Sequence, residues 1–169
     1  GSIVSSSPNN RYLVIGNYND SAASKNMLVW DMLSVTQLFT LPWNSYTLSW
    51  RQDGARFAVD RGTIVDVYST VGSRPPITLS GSFPRWSPDG KIIATSISTT
   101  VRLWDSDKGE VRLTLPGRFG DWSPDGTKVS TILSTTVKIW DTATGGVVGS
   151  IDGFAYPVAL VEYSPDGKS

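Results

Sequence analysis

Two residue types that carry much of protein chemistry are missing: the 169-residue chain has no cysteine and no histidine. Without cysteine there is neither a disulfide framework nor a thiolate nucleophile. Without histidine the commonest general base and a frequent metal ligand are gone, and a serine nucleophile has no imidazole to activate it. Charge of one sign is not in excess. The 15 basic and 15 acidic residues cancel and are spread along the chain, so there is no basic footprint for nucleic acid and no acidic tail. No apolar run approaches a membrane span, no signal peptide is recognisable, and helix-period apolar stretches are missing throughout. A serine elbow and a phosphate loop are also wanting, so the chain is expected to be no enzyme and to need no cofactor or metal. Gly1-Ser2 reads as the remnant of a cleaved tag, which leaves the absence of targeting signals with little weight.

What the chain does have is seven tryptophans and one recurrent turn. The turn is clearest as Trp86-Ser87-Pro88-Asp89-Gly90 and Trp122-Ser123-Pro124-Asp125-Gly126. A weaker copy is Trp50-Arg51-Gln52-Asp53-Gly54, and a fourth is Tyr163-Ser164-Pro165-Asp166-Gly167. An aromatic ends an apolar strand, proline presets φ, and Asp-Gly is expected to supply positive φ for a tight reversal. Gly54, Gly90 and Gly126 stand one common step apart, and the same step aligns Thr63, Thr99 and Thr135 without a gap. It also superimposes Val65, Val101 and Val137, then Tyr68, Trp104 and Trp140. A turn repeated at a fixed period marks a repeated supersecondary unit.

Between the turns the segments Val101-Arg102-Leu103-Trp104-Asp105 and Val137-Lys138-Ile139-Trp140-Asp141 alternate apolar and polar residues and close on Trp-Asp. Leu28-Val29-Trp30-Asp31 is a further copy, and Val65-Asp66-Val67-Tyr68-Ser69 a degenerate one. A Ser-Pro-Asp-Gly turn followed by a Trp-Asp strand end resembles the WD40 repeat family, over essentially the whole chain. The resemblance implies an all-β fold: a WD40-like β-propeller of four four-stranded antiparallel blades plus one extra strand, as part of a larger ring. The blades are expected near residues 3–41, 45–79, 81–115 and 117–151, with the extra inner strand over 158–163. Because the chain starts and ends on an inner strand, it is expected not to close alone. It would be an internal piece of a longer propeller, or would self-associate through its open edges.

The chain departs from the family pattern in two places. The family's Gly-His position reads Ser80-Gly81-Ser82, Pro116-Gly117-Arg118 or Asp152-Gly153-Phe154. The Asp turn before Trp-Asp has become Ser98-Thr99-Thr100 and Ser134-Thr135-Thr136. The buried His–Asp–Ser/Thr–Trp hydrogen-bond network that the resemblance implies is therefore not expected in any blade. The repeats are also short against the family's ~40–45 residues.

Trp50, Trp86, Trp122, Trp104 and Trp140 recur at fixed repeat positions, so they read as packing between blades and not as a ligand platform. Asp105 and Asp141 read as holders of the turn that follows them. The polar loop 17–26 reads as a solvated hairpin loop; its Asn and Asp residues lack the spacing of a calcium loop. Binding residues are better sought where the repeats differ, in the links from each outer strand to the next inner one. There Trp43, Tyr46, Arg85, Arg118 and Tyr156 are the candidate partner-binding residues, since aromatics and arginine dominate interface hot spots. Phe83 and Phe119, one repeat apart, are expected to pack beneath their loops. The expected role is a non-catalytic scaffold that binds other proteins, in the cytoplasm, with neither nucleic acid nor membrane as partner. The alternatives are a gating or sensor propeller attached to a catalytic or nucleotide-binding domain and, less well supported, a propeller lectin.

Overall fold

The computed structural model describes residues 4–18, 25–42, 47–71 and 75–167. Alternating apolar residues between turns leave little choice but hairpins, and sixteen strands form with no helix among the described residues. They fall into four antiparallel sheets, each a simple meander. The first contains β1 (Val4–Ser6), β2 (Tyr12–Tyr18), β3 (Lys25–Asp31) and β4 (Thr36–Pro42). The second contains β5 (Thr47–Trp50), β6 (Arg56–Asp60), β7 (Ile64–Ser69) and β8 (Ile77–Ser80). In the third are β9 (Ser82–Trp86), β10 (Ile92–Ile97), β11 (Thr100–Asp105) and β12 (Val111–Pro116). In the fourth are β13 (Arg118–Trp122), β14 (Lys128–Leu133), β15 (Thr136–Asp141) and β16 (Val147–Ile151). The fold is a propeller-like series of four blades.

No blade has a core of its own. Side chains alternate across each strand, so one set meets the blade before and the other the blade after. Phe57 and Val59 of β6 pack with Val14, Met27 and Val29 of the first blade, whereas Ala58 packs with Ile93 and Trp104 of the third. The seam between the third and fourth blades gathers Val101, Leu103, Leu115, Trp122, Val129 and Trp140. Each aliphatic side chain fully buried in such a seam contributes about 1.5–3 kcal/mol. Tryptophans at the ends of the inner strands tie neighbouring blades together. Trp86 Nε1 donates to the Ser49 carbonyl at 3.1 Å, Trp122 Nε1 to the Arg85 carbonyl at 3.3 Å and Trp50 Nε1 to Ser5 Oγ at 3.0 Å. With Trp104 and Trp140, which are buried in the seam clusters, these three are seam residues.

The Pro-Asp-Gly turns form, but with a different division of labour from the one expected. Only the glycine has positive φ, +70° at Gly54, Gly90 and Gly126. The aspartate instead ties the turn together from its side chain. Asp89 Oδ1 accepts from the Ser87 hydroxyl at 2.7 Å and the Lys91 amide at 3.0 Å, and Asp125 does the same with Ser123 and Thr127. The Ser123 hydroxyl first, then the amide and hydroxyl of Thr127, hold the Asp125 carboxyl down to about 2 from an ordinary 3.8. In the turns after Trp-Asp, Asp105 Oδ1 accepts from the Asp107 and Lys108 amides, and Asp141 Oδ1 from those of Ala143 and Thr144.

Half of the network expected to be missing is present. Trp104 Nε1 donates to Thr95 Oγ1 at 2.8 Å, and Thr95 Oγ1 donates in turn to the Ser80 carbonyl at 2.7 Å. Trp140 Nε1 donates to Thr131 Oγ1 at 2.8 Å. In the third blade the Trp–Thr pair needs no histidine, because the Ser80 carbonyl takes the proton that Thr95 offers. In the second blade both partners are exchanged, Val59 and Tyr68 standing at the two positions. In the first blade Ile15 stands where threonine would, and Trp30 Nε1 is buried with no acceptor among the described residues. A β-bulge lies beside the tryptophan in each of the three blades that keep it, at Trp30, Trp104 and Trp140.

The seventeenth strand does not form. Residues 152–163 are irregular, held by the Val158 amide on the Ser134 carbonyl at 2.8 Å and the Tyr163 amide on Asp121 Oδ2 at 3.0 Å. Among the described residues no strand lies beside this segment to supply a ladder. The seam pattern accordingly opens here: Leu79 and Leu115 are 1% and 3% exposed, whereas Ile151 at the same repeat position is 49% exposed.

Candidate interaction cleft

Each blade's meander places its first turn and its third-to-fourth-strand turn at one end. The middle hairpin and the link to the next blade lie at the other. At this link end, between the third and fourth blades, Phe83, Arg85, Ser96, Ser98, Arg118 and Phe119 line a cleft of about 300 Å³. Two candidate binding residues, Arg85 and Arg118, thus share one site although they lie on different blades. Both are exposed. Arg118 spends one guanidinium N–H on the Val158 carbonyl at 3.0 Å, and Arg85 makes a long contact of 3.4 Å with the Pro84 carbonyl. Tyr156, 82% exposed on the irregular segment after β16, is not part of this lining. Trp43 and Tyr46 lie outside the described residues, as do residues 19–24 of the polar loop.

Phe83 and Phe119 are not equivalent, and the shared expectation for them holds only for Phe119. The Phe119 ring packs on Trp122 at 5.9 Å between centroids and joins the seam core. Phe83 is 59% exposed. Its backbone explains this, for φ is +53°, the left-handed region that a bulky L-residue rarely occupies. Such strain costs about 1–3 kcal/mol and persists only where the surroundings impose it.

The imposing group is Asp60, a side chain that carried no signal of its own in the repeat alignment. It is 1% exposed. One carboxyl oxygen accepts the Phe83 amide at 2.7 Å across the blade seam, while the other accepts the Gly62 amide at 2.8 Å within its own hairpin. One repeat further on, the position of Asp60 is held by Ser96, whose hydroxyl is too short for this reach. Phe119 then pairs in register with Thr131 and turns inward. The signal was legible only as a departure: Asp60-Arg61-Gly62 stands where the next two blades read Ser96-Ile97-Ser98 and Ile132-Leu133-Ser134.

The links themselves depend on glycine. A Cβ at Gly81 or Gly117, where φ is +110° and +103°, would stand 2.8 Å and 2.7 Å from the Ser96 and Ile132 carbonyl oxygens. The link glycine is therefore kept for close approach, while the position after it is free to carry Ser82 or Arg118.

The chain matches no family model and no curated protein. Among the described residues no helix is long and apolar enough to cross a membrane.

Proposed function

We propose that this chain is a non-catalytic protein-interaction scaffold of the WD40-like propeller type, and that it binds its partner at the link end between the third and fourth blades. The observation that carries the reading is Phe83. A large aromatic is held out into solvent on a strained backbone, by a buried carboxylate, beside two exposed arginines. Strain is retained at sites where a side chain must be presented, and aromatic and arginine side chains are the usual anchors of interfaces. The likeness of the repeats to WD40 blades supports the same role, since the rest of each blade is consumed in packing.

A peptide library displayed on phage, selected against the intact chain, tests this. Enriched sequences should lose binding to Phe83→Ala and keep it on Val147→Ala, an exposed change far from the cleft. Selection that enriches nothing, or binders indifferent to Phe83, would remove the cleft from the proposal.

A further inference from the structure

Four of the described arginines are spent on carboxylates. Arg11 pairs with Asp31 at 3.0 Å, Arg51 with Asp53 at 2.8 Å, and Arg56 with Asp107 at 3.1 Å. Arg61, beside the second blade's hairpin, pairs with Asp66 at 2.9 Å. Arg85 and Arg118 have no carboxylate partner among the described residues. Their cleft is lined otherwise only by two phenylalanines and two serines. Asp60 and Asp121 accept backbone amides instead, Asp60 those of Phe83 and Gly62, Asp121 those of Trp122 and Tyr163. Arg85 and Arg118 touch only neutral carbonyls, so neither guanidinium is in an ion pair among the described residues.

From this we infer that the cleft takes an extended acidic peptide segment, with a carboxylate side chain between Arg85 and Arg118 and an apolar side chain against Phe83. The inference rests on the reading of the cleft as an interaction site and adds the chemistry of the partner. Size sets the extended form. A cleft of about 300 Å³ admits two or three side chains but not a helix about 10–12 Å across. In an extended strand residues two apart share one face, so one carboxylate and one apolar group can enter together. The guanidinium fork supplies directed, charge-assisted hydrogen bonds to a carboxylate. Ser96 and Ser98 in the lining can serve the peptide backbone. A nucleic acid is the weaker fit: two arginines on a chain of net charge zero release too few counterions for phosphate-driven binding.

The test is fluorescence anisotropy on the intact chain, using a labelled peptide that alternates Glu and Leu. Its Gln–Leu and Lys–Leu counterparts and a labelled oligothymidylate are the comparisons. The Glu–Leu peptide should bind and the other three should not, and added salt should weaken binding. Loss of one charge-assisted pair in Arg85→Ala should raise Kd about tenfold or more, and Arg85→Glu should abolish binding. Arg118→Ala should act likewise. If it also lowers the melting temperature through its contact with Val158, Arg85→Ala alone decides. Equal binding of the Gln–Leu peptide, or indifference to Arg85→Glu, overturns the acidic chemistry, while phage-selected binders dependent on Phe83 would leave the interaction site standing. Tighter binding of the oligothymidylate overturns the inference in favour of a nucleic acid.

Discussion

Phe83 and Phe119 occupy the same repeat position in adjacent blades, yet one is displayed and the other stored. Phe119 follows the repeat: it keeps strand register, faces the seam and packs on Trp122. Phe83 breaks it because its amide is taken by Asp60 of the preceding blade, which turns the backbone to φ +53° and the ring outward. The difference arises from one side chain that neither phenylalanine carries. In a repeat protein, then, identity of sequence at a position does not imply identity of role, because half of each residue's surroundings belong to the neighbouring unit.

The largest test of the comparison sets the two neighbourhoods against each other. Trp122→Ala, which removes the aromatic that Phe119 packs on and the bond to the Arg85 carbonyl, should cost about 3–5 kcal/mol in urea unfolding. Phe83→Ala should stay within about 0.5 kcal/mol of the parent, as exposed substitutions usually do. Similar losses for both would mean that Phe83 is a core residue and that the contrast is false.

A smaller effect isolates the cause. Asp60→Ala strands the Phe83 and Gly62 amides, which should cost about 1–3 kcal/mol. Relief of the strain at Phe83 returns part of this. Amide hydrogen exchange at Phe83 should accelerate, while exchange at Phe119 should not change. Unaltered protection at Phe83 would show that something other than Asp60 holds the left-handed backbone.

The smallest effect probes the framework side of the comparison alone. The Asp125 carboxyl is held near 2 by the Ser123 and Thr127 hydrogen bonds. A carboxyl depressed in the folded state stabilises above its ordinary value, and that contribution fades as pH falls from about 4 towards 2. Asp125→Asn should therefore flatten the acid limb of a thermal-melt series over this window, melting below the parent by a steady margin above pH 5 or so and meeting it as pH nears 2. No change in the acid limb would mean that the turn carboxylates do not set the acid stability of the blades.

The ends of the molecule repeat the lesson on a larger scale. The open seam at Ile151 and the orphan Trp30 Nε1 mark blades that lack, among the described residues, one neighbour or one partner residue that the middle blades possess.

By itself the sequence determined the blades. The Pro-Asp-Gly turns, the alternating strands and the common step between Gly54, Gly90 and Gly126 each act over a few residues. Local backbone preference and side-chain alternation suffice to place them. The seam tryptophans were legible for the same reason, since a bulky residue at every equivalent strand end has only the adjacent blade to meet. Arg85 and Arg118 were legible as binding candidates because the links differ from blade to blade. The tertiary structure decided what depends on groups distant in the chain. It brought Arg85 and Arg118 into one cleft and gave Thr95 and Thr131 to the tryptophans of their own blades. It left residues 158–163 without a strand partner. It also separated Phe83 from Phe119, because the oxygen that takes the Phe83 amide comes from another blade, and no local preference of Phe83 could announce it.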